Sequence, residues 1–242
     1  SSSLADSLTR GKPDNQSVDY STRIAGLNEI MDVTTKPIIF DGDNGGEMHH
    51  IPYLIKTLER LGTSAIAIED KIGVKQNSLF SDQSSSKQDK INDFCKKIKL
   101  IQKTKKSEDF LLIARIESLI MNKGLNDALK RAVAYSRAGC DMILIHSKSK
   151  DTKELFQFSN KFKKNKFFKP LVCVPSTYSH VKEKDLIKNH FSVVIYANQL
   201  LRSIYPSMVE TANSILKNER SKESEKKLMS VKKIISLIPP VD

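Results

Sequence analysis

The chain has 242 residues, of which 39% are apolar and 28% charged, which is the composition of a globular protein rather than a disordered or fibrous one. It carries 40 lysines and arginines against 28 aspartates and glutamates, a formal charge of +12. Aromatic residues make up only 7%, and no nucleic-acid-binding motif accompanies the positive charge. We therefore expect a lysine-rich surface and no nucleic-acid partner. No apolar run is long enough to span a membrane, so no membrane partner is expected.

The cysteine pattern excludes a disulfide framework and zinc-type spacing. Cys95, Cys140 and Cys173 lie far apart in the sequence, with no CxxC pair. This usage predicts three reduced thiols in a cytoplasmic protein.

Six short apolar runs alternate with longer amphipathic stretches. Nearly continuous apolar runs are typical of parallel strands buried on both faces. The predicted strands cover residues 37–41, 64–70, 111–117, 142–147, 171–176 and 192–198. Helices are predicted over residues 20–31, 48–62, 87–105 and 124–139, the second and last ending at Gly62 and Gly139. This alternation, with no β-hairpin signal, predicts an α/β fold.

The C-terminal residues 198–238 are predicted to be helical, with helices at 198–218 and 221–237 and Pro206 interrupting the first. The second carries an apolar stripe formed by Leu228, Val231, Ile234, Ile235 and Ile238. Such a stripe packs either on the rest of its own chain or on a second subunit.

Two α/β architectures fit this pattern, an open doubly wound sheet and a (β/α)8 barrel of the TIM type. Polar residues stand at or just after the end of each predicted strand: Asp41, Glu69, Arg115, His146, Ser176 and Asn198. In a barrel these ends converge on one mouth, where active sites lie, so the barrel is favoured. Only six strands are found, so either the native chain begins earlier or the barrel is wrong. We predict one catalytic domain over residues 1–242.

The string DGDNGG, which begins at Asp41, is the sharpest local signal. Asp41 and Asp43 are two residues apart and can project on one side of the chain. Close carboxylates repel unless a cation lies between them, and Mg²⁺ prefers such oxygen ligands. Glu69 adds a third carboxylate at the end of the next predicted strand. An Asp-Gly turn that caps a helix is the structural alternative.

Three further positions carry possible chemistry. Residues 71–88, which include Lys75 and Asn77, have the composition of a loop over a site, but composition alone favours an ordinary solvent-exposed loop. Arg115, after four apolar strand residues, is explained equally well by an anionic substrate or by a salt bridge to Glu117 or Asp141. His146 follows its predicted strand in the same way, as a substrate-binding or a structural histidine.

The string EDKIGVKQNS, at residues 69–78, resembles the EDKxGxKxNS gating loop of the phosphoenolpyruvate mutase branch of the isocitrate lyase superfamily. The similarity continues through IARIES at Arg115, ILIHS at His146, VPSTY at 174–178 and IYAN at 195–198, and covers nearly the whole chain. The lyases of the superfamily carry a KKCGH-type loop with a catalytic cysteine, and no such string occurs here.

This resemblance implies a Mg²⁺-dependent interconversion of phosphoenolpyruvate and phosphonopyruvate, the step that forms the C–P bond of phosphonates. It implies that Asp41 is the direct Mg²⁺ ligand and that Asp43 and Glu69 hold its waters. It also implies a barrel whose first two strands precede this chain. The gating loop would cover residues 71–88.

The resemblance also implies roles for the remaining candidates. Arg115 and His146 would bind the anionic oxygens of the substrate. Lys75 and Asn77 would close over the site, with Asn77 contacting the phosphoryl group. Asp14 would lie beside the migrating phosphoryl group, as a nucleophile or as an orienting group.

Ser2, Ser3 and Leu4 would form a loop that holds the substrate. The C-terminal helix would be exchanged between subunits of a homodimer or homotetramer.

Three other functions remain open. A phosphonopyruvate hydrolase is similar throughout, but by this resemblance the mutases carry Asn at position 77 and the hydrolases do not. An oxaloacetate decarboxylase or C–C lyase would use the same Mg²⁺ chemistry. A basic binding protein without activity is the alternative from another class.

Overall fold

The computed structural model describes residues 2–73, 75–79, 83 and 87–238 of the chain. The first half contains α1 (Ser3–Thr9), α2 (Tyr20–Asp32), β1 (Ile39–Asp41), α3 (Ile51–Arg60), β2 (Ala65–Glu69), β3 (Lys71–Ile72) and β4 (Lys87–Gln88). The second half contains α4 (Ile91–Thr104), β5 (Leu111–Ile116), α5 (Gly124–Ala138), β6 (Met142–Ile145), α6 (Lys153–Lys163), β7 (Leu171–Cys173), α7 (Glu183–Lys188), β8 (Phe191–Val194), α8 (Gln199–Asn218), a 3₁₀ turn (Glu225–Lys227) and α9 (Val231–Ile235).

The main sheet of the described residues is parallel, with strand order β1-β2-β5-β6-β7-β8. Neighbouring strands of the sheet follow one another along the chain, with α3, α4, α5, α6 and α7 in the connections. The sheet curls into a half-barrel, and the predicted α/β class and all six predicted strands are confirmed. Short strands β3 and β4 form a separate antiparallel pair at the two ends of the predicted loop 71–88, which the sequence pattern did not indicate.

Side-chain alternation gives the curled sheet two different faces. The inner face packs a small cluster built on Ala65, Ile113, Leu144 and Val172. The outer face packs the larger core against the helices. Because the side-chain period is two, the residues that continue the inner face at the strand ends are Asp41, Glu69, Arg115 and His146. The fold therefore directs these four predicted site residues toward one interior.

The helices cover the outer face with apolar stripes of helical spacing. In α3, for example, Ile51, Leu54, Ile55 and Leu58 are all buried. Helix α5 ends at Gly139, whose φ of 110° is the left-handed cap that the sequence predicted.

The segment at residues 2–9 differs from the predicted substrate-holding loop, because most of it is helix α1. Ser2 is the N-cap, and its hydroxyl accepts a hydrogen bond from the amide of Ala5. Ser3 and Leu4 therefore lie in the first turn of a helix. The predicted helix at 87–105 begins only at Ile91, since residues 87–88 pair with β3.

The residues up to Ala197 and those from Asn198 onward form two compact units. In the second unit, α8 continues through Pro206, so the predicted interruption is wrong. The proline removes one backbone donor, and α8 has no buried residues, so water can reach the freed carbonyl. The predicted helix at 221–237 is also wrong. Only α9 and the 3₁₀ turn form there, and the Ser230 hydroxyl caps α9 at Lys233.

The apolar side chains of the second unit are largely exposed, including Leu200, Tyr205, Met208, Leu216 and Val231. No helix in the described part of the chain has the length and apolar character needed to cross a membrane.

Gly42 lies where the chain leaves β1 and has no room for a side chain. A Cβ there would lie 2.8 Å from Cδ1 of Ile66 and 3.0 Å from the carbonyl oxygen of Ala67. We expect Gly42→Ala to lower the free energy of unfolding by about 1–3 kcal/mol, because the packed sheet must shift. Urea unfolding measures this loss. Gly26→Ala, inside α2, is the control and should raise stability by up to about 1 kcal/mol. Equal effects of the two would contradict the packing described.

Candidate active site

The loop that follows β1 brings two carboxylates to the interior. The amide of Gly42 donates to the carbonyl of Ala67 at 2.8 Å, and the hydroxyl of Tyr20 donates to the carbonyl of Gly42 at 2.6 Å. These bonds fix the loop to β2 and α2. Asp43 has a φ of 48°, the left-handed region that few residues other than glycine adopt. The loop thus holds Asp41 and Asp43 in one fixed geometry.

Asp41 is held as an anion. Its Oδ2 accepts hydrogen bonds from the amide of Ser3 at 3.2 Å and from the hydroxyl of Ser3 at 2.9 Å. Burial alone would raise the pKa of this carboxyl. The positive charges of Lys75, Arg23 and Arg115 outweigh burial and lower the pKa of Asp41 to about 2. Asp41 is therefore a permanent negative charge at the end of β1.

Asp43 lies between two cations. Arg23 Nη1 donates to its Oδ2 at 2.9 Å, and the ammonium of Lys75 pairs with its Oδ1. Burial and the neighbouring charge of Asp41 nevertheless raise the pKa of Asp43. Proton and cation thus compete for this second carboxylate, as expected of two close acids.

Arg23 is a site residue that sequence reasoning missed. It lies on α2, is 1% exposed, and its Nη2 also donates to the carbonyl oxygen of Asp41. Its guanidinium lies 4.7 Å from the ring centre of Phe40. A signal was present in the sequence, because an arginine at this position shares the apolar helical spacing of Tyr20 and Leu27.

Arg115 is the centre of a second charged cluster. Its Nε donates to Glu117 at 2.6 Å, and its Nη2 lies 3.2 Å from Glu69 Oε2. The predicted salt bridge to Glu117 is therefore present. The alternative partner Asp141 pairs instead with Lys105, at the other end of the strand. Arg115 is thus already charge-balanced before an anionic substrate enters.

The two glutamates of this cluster titrate in opposite directions. Burial, together with the charge of Glu117, raises the pKa of Glu69 to about 7, against the attraction of Arg115. Burial would raise the pKa of Glu117 as well, but the positive charges of Arg115 and Lys71 lower it well below its usual range. Glu117 therefore carries the negative charge, and Glu69 readily takes up a proton.

His146 is a neutral hydrogen-bonding group. Burial and the nearby charge of Arg115 lower the pKa of this histidine. Its Nδ1 lies 2.9 Å from Nη2 of Arg115. Nδ1 also lies 3.2 Å from Oε1 of Glu117, but its shorter contact is with arginine, which only donates, so we assign Nδ1 as the acceptor and place the histidine proton on Nε2.

Three candidates meet beside the first cluster. Lys75 Nζ donates to Asp14 Oδ1 at 2.8 Å and to the hydroxyl of Ser3 at 2.5 Å, and Asn77 Nδ2 donates to Asp14 Oδ2 at 3.0 Å. Burial would lower the pKa of Lys75, but Asp41, Asp43 and Asp14 raise it to about 12. Lys75 is therefore a fixed positive charge that joins Asp14 to the carboxylates after β1.

The remaining candidates lie at the ends of other elements. Ser2 caps α1, and Leu4 is half-buried in its first turn. Ser176 lies in the turn after β7, and Asn198 is the N-cap residue of α8 in the second unit. Ser78, which sequence reasoning did not assign, is 4% exposed and accepts from Arg115 Nη2 at 2.8 Å.

The oxygen donors after β1 fit a magnesium ion. Within the described residues, no three or more His, Cys, Asp and Glu side chains gather into a complete protein-only metal site. Magnesium, however, commonly binds one or two carboxylates and keeps several waters. Asp41 is ionised, and a positive group, the Lys75 ammonium, already lies among Asp41, Asp43 and Asp14. Hard oxygen donors around a cation position are the chemistry that magnesium requires.

The cysteines take no part in this site. All three are free thiols, Cys140 and Cys173 buried and Cys95 partly buried on α4. Burial raises the pKa of Cys140 and of Cys173 to about 12, so neither is a thiolate nucleophile.

Curled parallel sheets with charged side chains at the strand ends are typical of barrel enzymes. The family model described as "Phosphoenolpyruvate phosphomutase" matches residues 1–216 of this chain. A phosphoenolpyruvate phosphomutase of Tetrahymena pyriformis is 35% identical over 98% of this chain and 78% of its own length. A phosphonopyruvate hydrolase of Variovorax sp. strain Pal2 is 33% identical over 93% of this chain and 77% of its own length.

Solved structures agree with these sequence matches. The phosphoenolpyruvate phosphomutase of Streptomyces platensis subsp. rosaceus superposes with a TM-score of 0.91 at 29% identity, over 98% of this chain and 81% of that one. A phosphonopyruvate hydrolase in complex with oxalate and Mg²⁺ superposes with a TM-score of 0.88 at 32% identity, over 98% of this chain and 80% of that one. The chain belongs to the phosphoenolpyruvate phosphomutase family and is an enzyme of that family.

Arg23 should be essential for stability. We expect Arg23→Leu to lower the free energy of unfolding by about 3 kcal/mol or more, because Asp43 would lose a buried charge partner. Guanidinium unfolding followed by circular dichroism measures the loss. Arg10→Leu is the control: Arg10 also pairs with an aspartate, Asp6, but its side chain is 34% exposed. It should cost no more than about 1 kcal/mol. A small loss in both variants would show that Asp43 does not need Arg23.

Proposed function

We propose that this enzyme is a Mg²⁺-dependent mutase that interconverts phosphoenolpyruvate and phosphonopyruvate by intramolecular phosphoryl transfer. One observation carries the proposal. Lys75 and Asn77, from the segment after β3, both hydrogen-bond the carboxylate of Asp14, and Lys75 also pairs with Asp43. A small anion at this place would be surrounded by groups that bind phosphoryl oxygens on one side and by carboxylates suited to magnesium on the other.

The reaction needs positioning more than a strong base. From phosphonopyruvate, the C3–P bond breaks and its electron pair stays on the pyruvyl group as an enolate. The enolate oxygen then takes the phosphoryl group, which gives phosphoenolpyruvate with no atom gained or lost. Loose phosphoryl transfer spreads charge over the three outer oxygens, which fixed donors stabilise.

Arg115 and His146 supply donors for the substrate's anionic oxygens. The guanidinium of Arg115 is held on Glu117, so its orientation is set before the substrate arrives. The Nε2 proton of His146 is free of the Nδ1 contact with Arg115 and is available for a substrate oxygen. Both groups act without transferring a proton, because the pKa of Arg115 is raised and that of His146 is lowered.

Asp41 is the residue we assign as the direct magnesium ligand, with Asp43 and Glu69 holding its waters. A bound magnesium ion would supply positive charge to the carboxylate and enolate oxygens of the substrate. Ser3 orients Asp41 through two hydrogen bonds, and we assign Ser2, Ser3 and Leu4 to the substrate-binding surface beside it.

Asp14 and Asn77 flank the migrating group. Both oxygens of Asp14 accept hydrogen bonds, one from Lys75 and one from Asn77, which holds the carboxylate in one orientation. Asp14 either receives the phosphoryl group as a nucleophile or orients it electrostatically. The protonated Lys75 offsets its charge in both cases.

The second candidate function is hydrolysis of phosphonopyruvate. It is favoured by the 33% identity to a protein named phosphonopyruvate hydrolase, close to the 35% identity to a named phosphomutase. The two outcomes differ in whether water captures the phosphoryl group. Residues 71–88, as a gating loop, would exclude that water. Asn77 supports the mutase.

The decisive test is ³¹P NMR of the purified protein with phosphonopyruvate and Mg²⁺. We expect the phosphonate signal to be replaced by that of phosphoenolpyruvate, and the signal to remain unchanged with EDTA. Inorganic phosphate formed together with pyruvate would establish the hydrolase. A phosphonate signal that is unchanged with Mg²⁺ would refute both reactions.

Asn77→Ala should retain magnesium binding but lose about 100-fold in kcat, since one fixed donor to the transferring group is removed. The rate is measured by the same NMR assay, and metal binding by calorimetry. Asn160→Ala is the matched control, because Asn160 lies exposed on α6 and, among the residues that the structure describes, bonds its own helix and Asn189. It should turn over at the wild-type rate. A wild-type rate for Asn77→Ala would remove this residue from the mechanism.

We further propose that the enzyme is a homodimer or homotetramer in which the C-terminal helix is exchanged between subunits. The support is the exposed apolar surface of the second unit, where Leu200, Tyr205 and Leu216 are each more than 70% exposed. Apolar side chains in such number are seldom left to water in a monomer.

A further inference from the structure

Asp70 lies next to the proposed magnesium-site residue Glu69, yet it belongs to the opposite face of the sheet. Side-chain alternation directs Glu69 to the interior and Asp70 toward helix α5. Asp70 is 0% exposed. It therefore cannot contact a substrate at the inner face.

The carboxylate of Asp70 joins separate parts of the fold. Its Oδ1 accepts from the amide of Glu117 at 3.0 Å. Its Oδ2 accepts from Gln88 at 3.0 Å, from Arg131 at 3.1 Å and from Tyr135 at 2.7 Å. The donors come from the end of β5, from β4 and from α5, so this single group fixes three elements to one another.

The segment 71–88 is anchored at both ends by these contacts. Lys71 follows Asp70 directly and pairs in β3 with Gln88 of β4. The amide of Asp89 donates to the carbonyl of Asp70 at 2.8 Å, and Arg131 donates to the carbonyl of Asp89 at 2.8 Å. The stem of the segment that carries Lys75 and Asn77 is thus tied to one buried ion pair.

Glu117 extends the same connection to the substrate-binding arginine. Its amide is held by Asp70, while its carboxylate accepts from Arg115 at 2.6 Å and from the hydroxyl of Ser78 at 2.5 Å. Ser78 belongs to the same segment as Asn77. A displacement of Asp70 would therefore move the backbone under Arg115 and the stem of the segment together.

We propose that Asp70, Gln88, Arg131 and Tyr135 form a positioning cluster for the reaction. The cluster holds the stem of segment 71–88 and Glu117 in one register, so that Lys75, Asn77 and Arg115 face the substrate at the same time. None of its four members touches the substrate. The catalytic part of this inference rests on the proposed function, but the anchoring of the stem does not.

Gln88→Ala tests the cluster, because it cuts the side-chain link from β4 to Asp70 without removing a charge. Gln102→Ala is the matched control. Both glutamines are half-buried, and the Nε2 of each makes two hydrogen bonds. Gln88 donates to Asp70 and to the hydroxyl of Ser118, both at 3.0 Å, and Gln102 donates to the carbonyl of Gly139 at 2.7 Å and to Asp141 at 3.1 Å. The partners of Gln102 lie near the opposite ends of the strands, away from the site. Both variants should lose a similar, small amount in Tm.

Two measurements separate the variants. Limited trypsin digestion followed by mass spectrometry should show cleavage after Lys75 and Lys87 several-fold faster in Gln88→Ala than in wild type, and unchanged in Gln102→Ala. In the NMR assay, kcat should fall about 10-fold in Gln88→Ala, with a smaller change in KM. The reason is that misplaced groups stabilise the transition state less well, while their binding of the substrate changes less. Gln102→Ala should keep the wild-type kcat.

The inference fails if the two variants are cleaved at the same rate, or if both keep or both lose activity alike. If the wild-type protein turns over no phosphonopyruvate, the proposed function fails. The digestion rates then decide the anchoring role alone.

Discussion

Compensation of buried charge is the constraint on which the rest of this site depends. The carboxylates at the ends of β1, β2 and β5 are buried away from water, so each needs a neighbouring cation or a bound proton. Asp43 has Arg23 and Lys75, and Glu117 has Arg115. Because these cations come from α2, from the segment after β3 and from β5 itself, charge balance ties distant parts of the chain into one interior.

The alternation of side chains along β2 also places neighbouring carboxylates on opposite faces of the sheet, one in the candidate site and one against the helices. Glu69 faces the interior, and Asp70, one residue later, faces the helices. The pKa of the interior group is raised to about 7, so this group can take up and release a proton. The helix-side group is enclosed by four donors and keeps one arrangement. A single strand end thus contributes one adaptable and one fixed carboxylate.

Much of the inner part of this fold could be predicted from the sequence, because buried parallel strands leave an apolar pattern that few other structures share. Asp41, Glu69, Arg115 and His146 were found from their places at strand ends. Arg23 was not, since a charged residue inside an amphipathic helix is usually taken as a surface group. Its partner Asp43 is close only after α2 packs on the sheet.

The predictions of secondary structure that were wrong concern segments where tertiary context overrides the local sequence pattern. The first turns of α1 and α9 begin at serines, whose hydroxyls accept from backbone amides, and apolar periodicity does not reveal this. Pro206 predicts a break from local chemistry alone, but an exposed helix can lose one hydrogen bond to water and continue. The small pair β3–β4 has too few residues for any periodic signal.

The left-handed backbone of Asp43 has a consequence for how this loop can vary. Glycine would adopt a φ of 48° with less strain, so the conformation favours a residue that has no carboxylate. Aspartate at this position therefore supplies a carboxylate to the site at the cost of local backbone strain. Replacing this aspartate by glycine would relieve the strain, but it would also leave the buried Arg23 and the Lys75 ammonium without the carboxylate that they share, so the net effect on stability would be a loss.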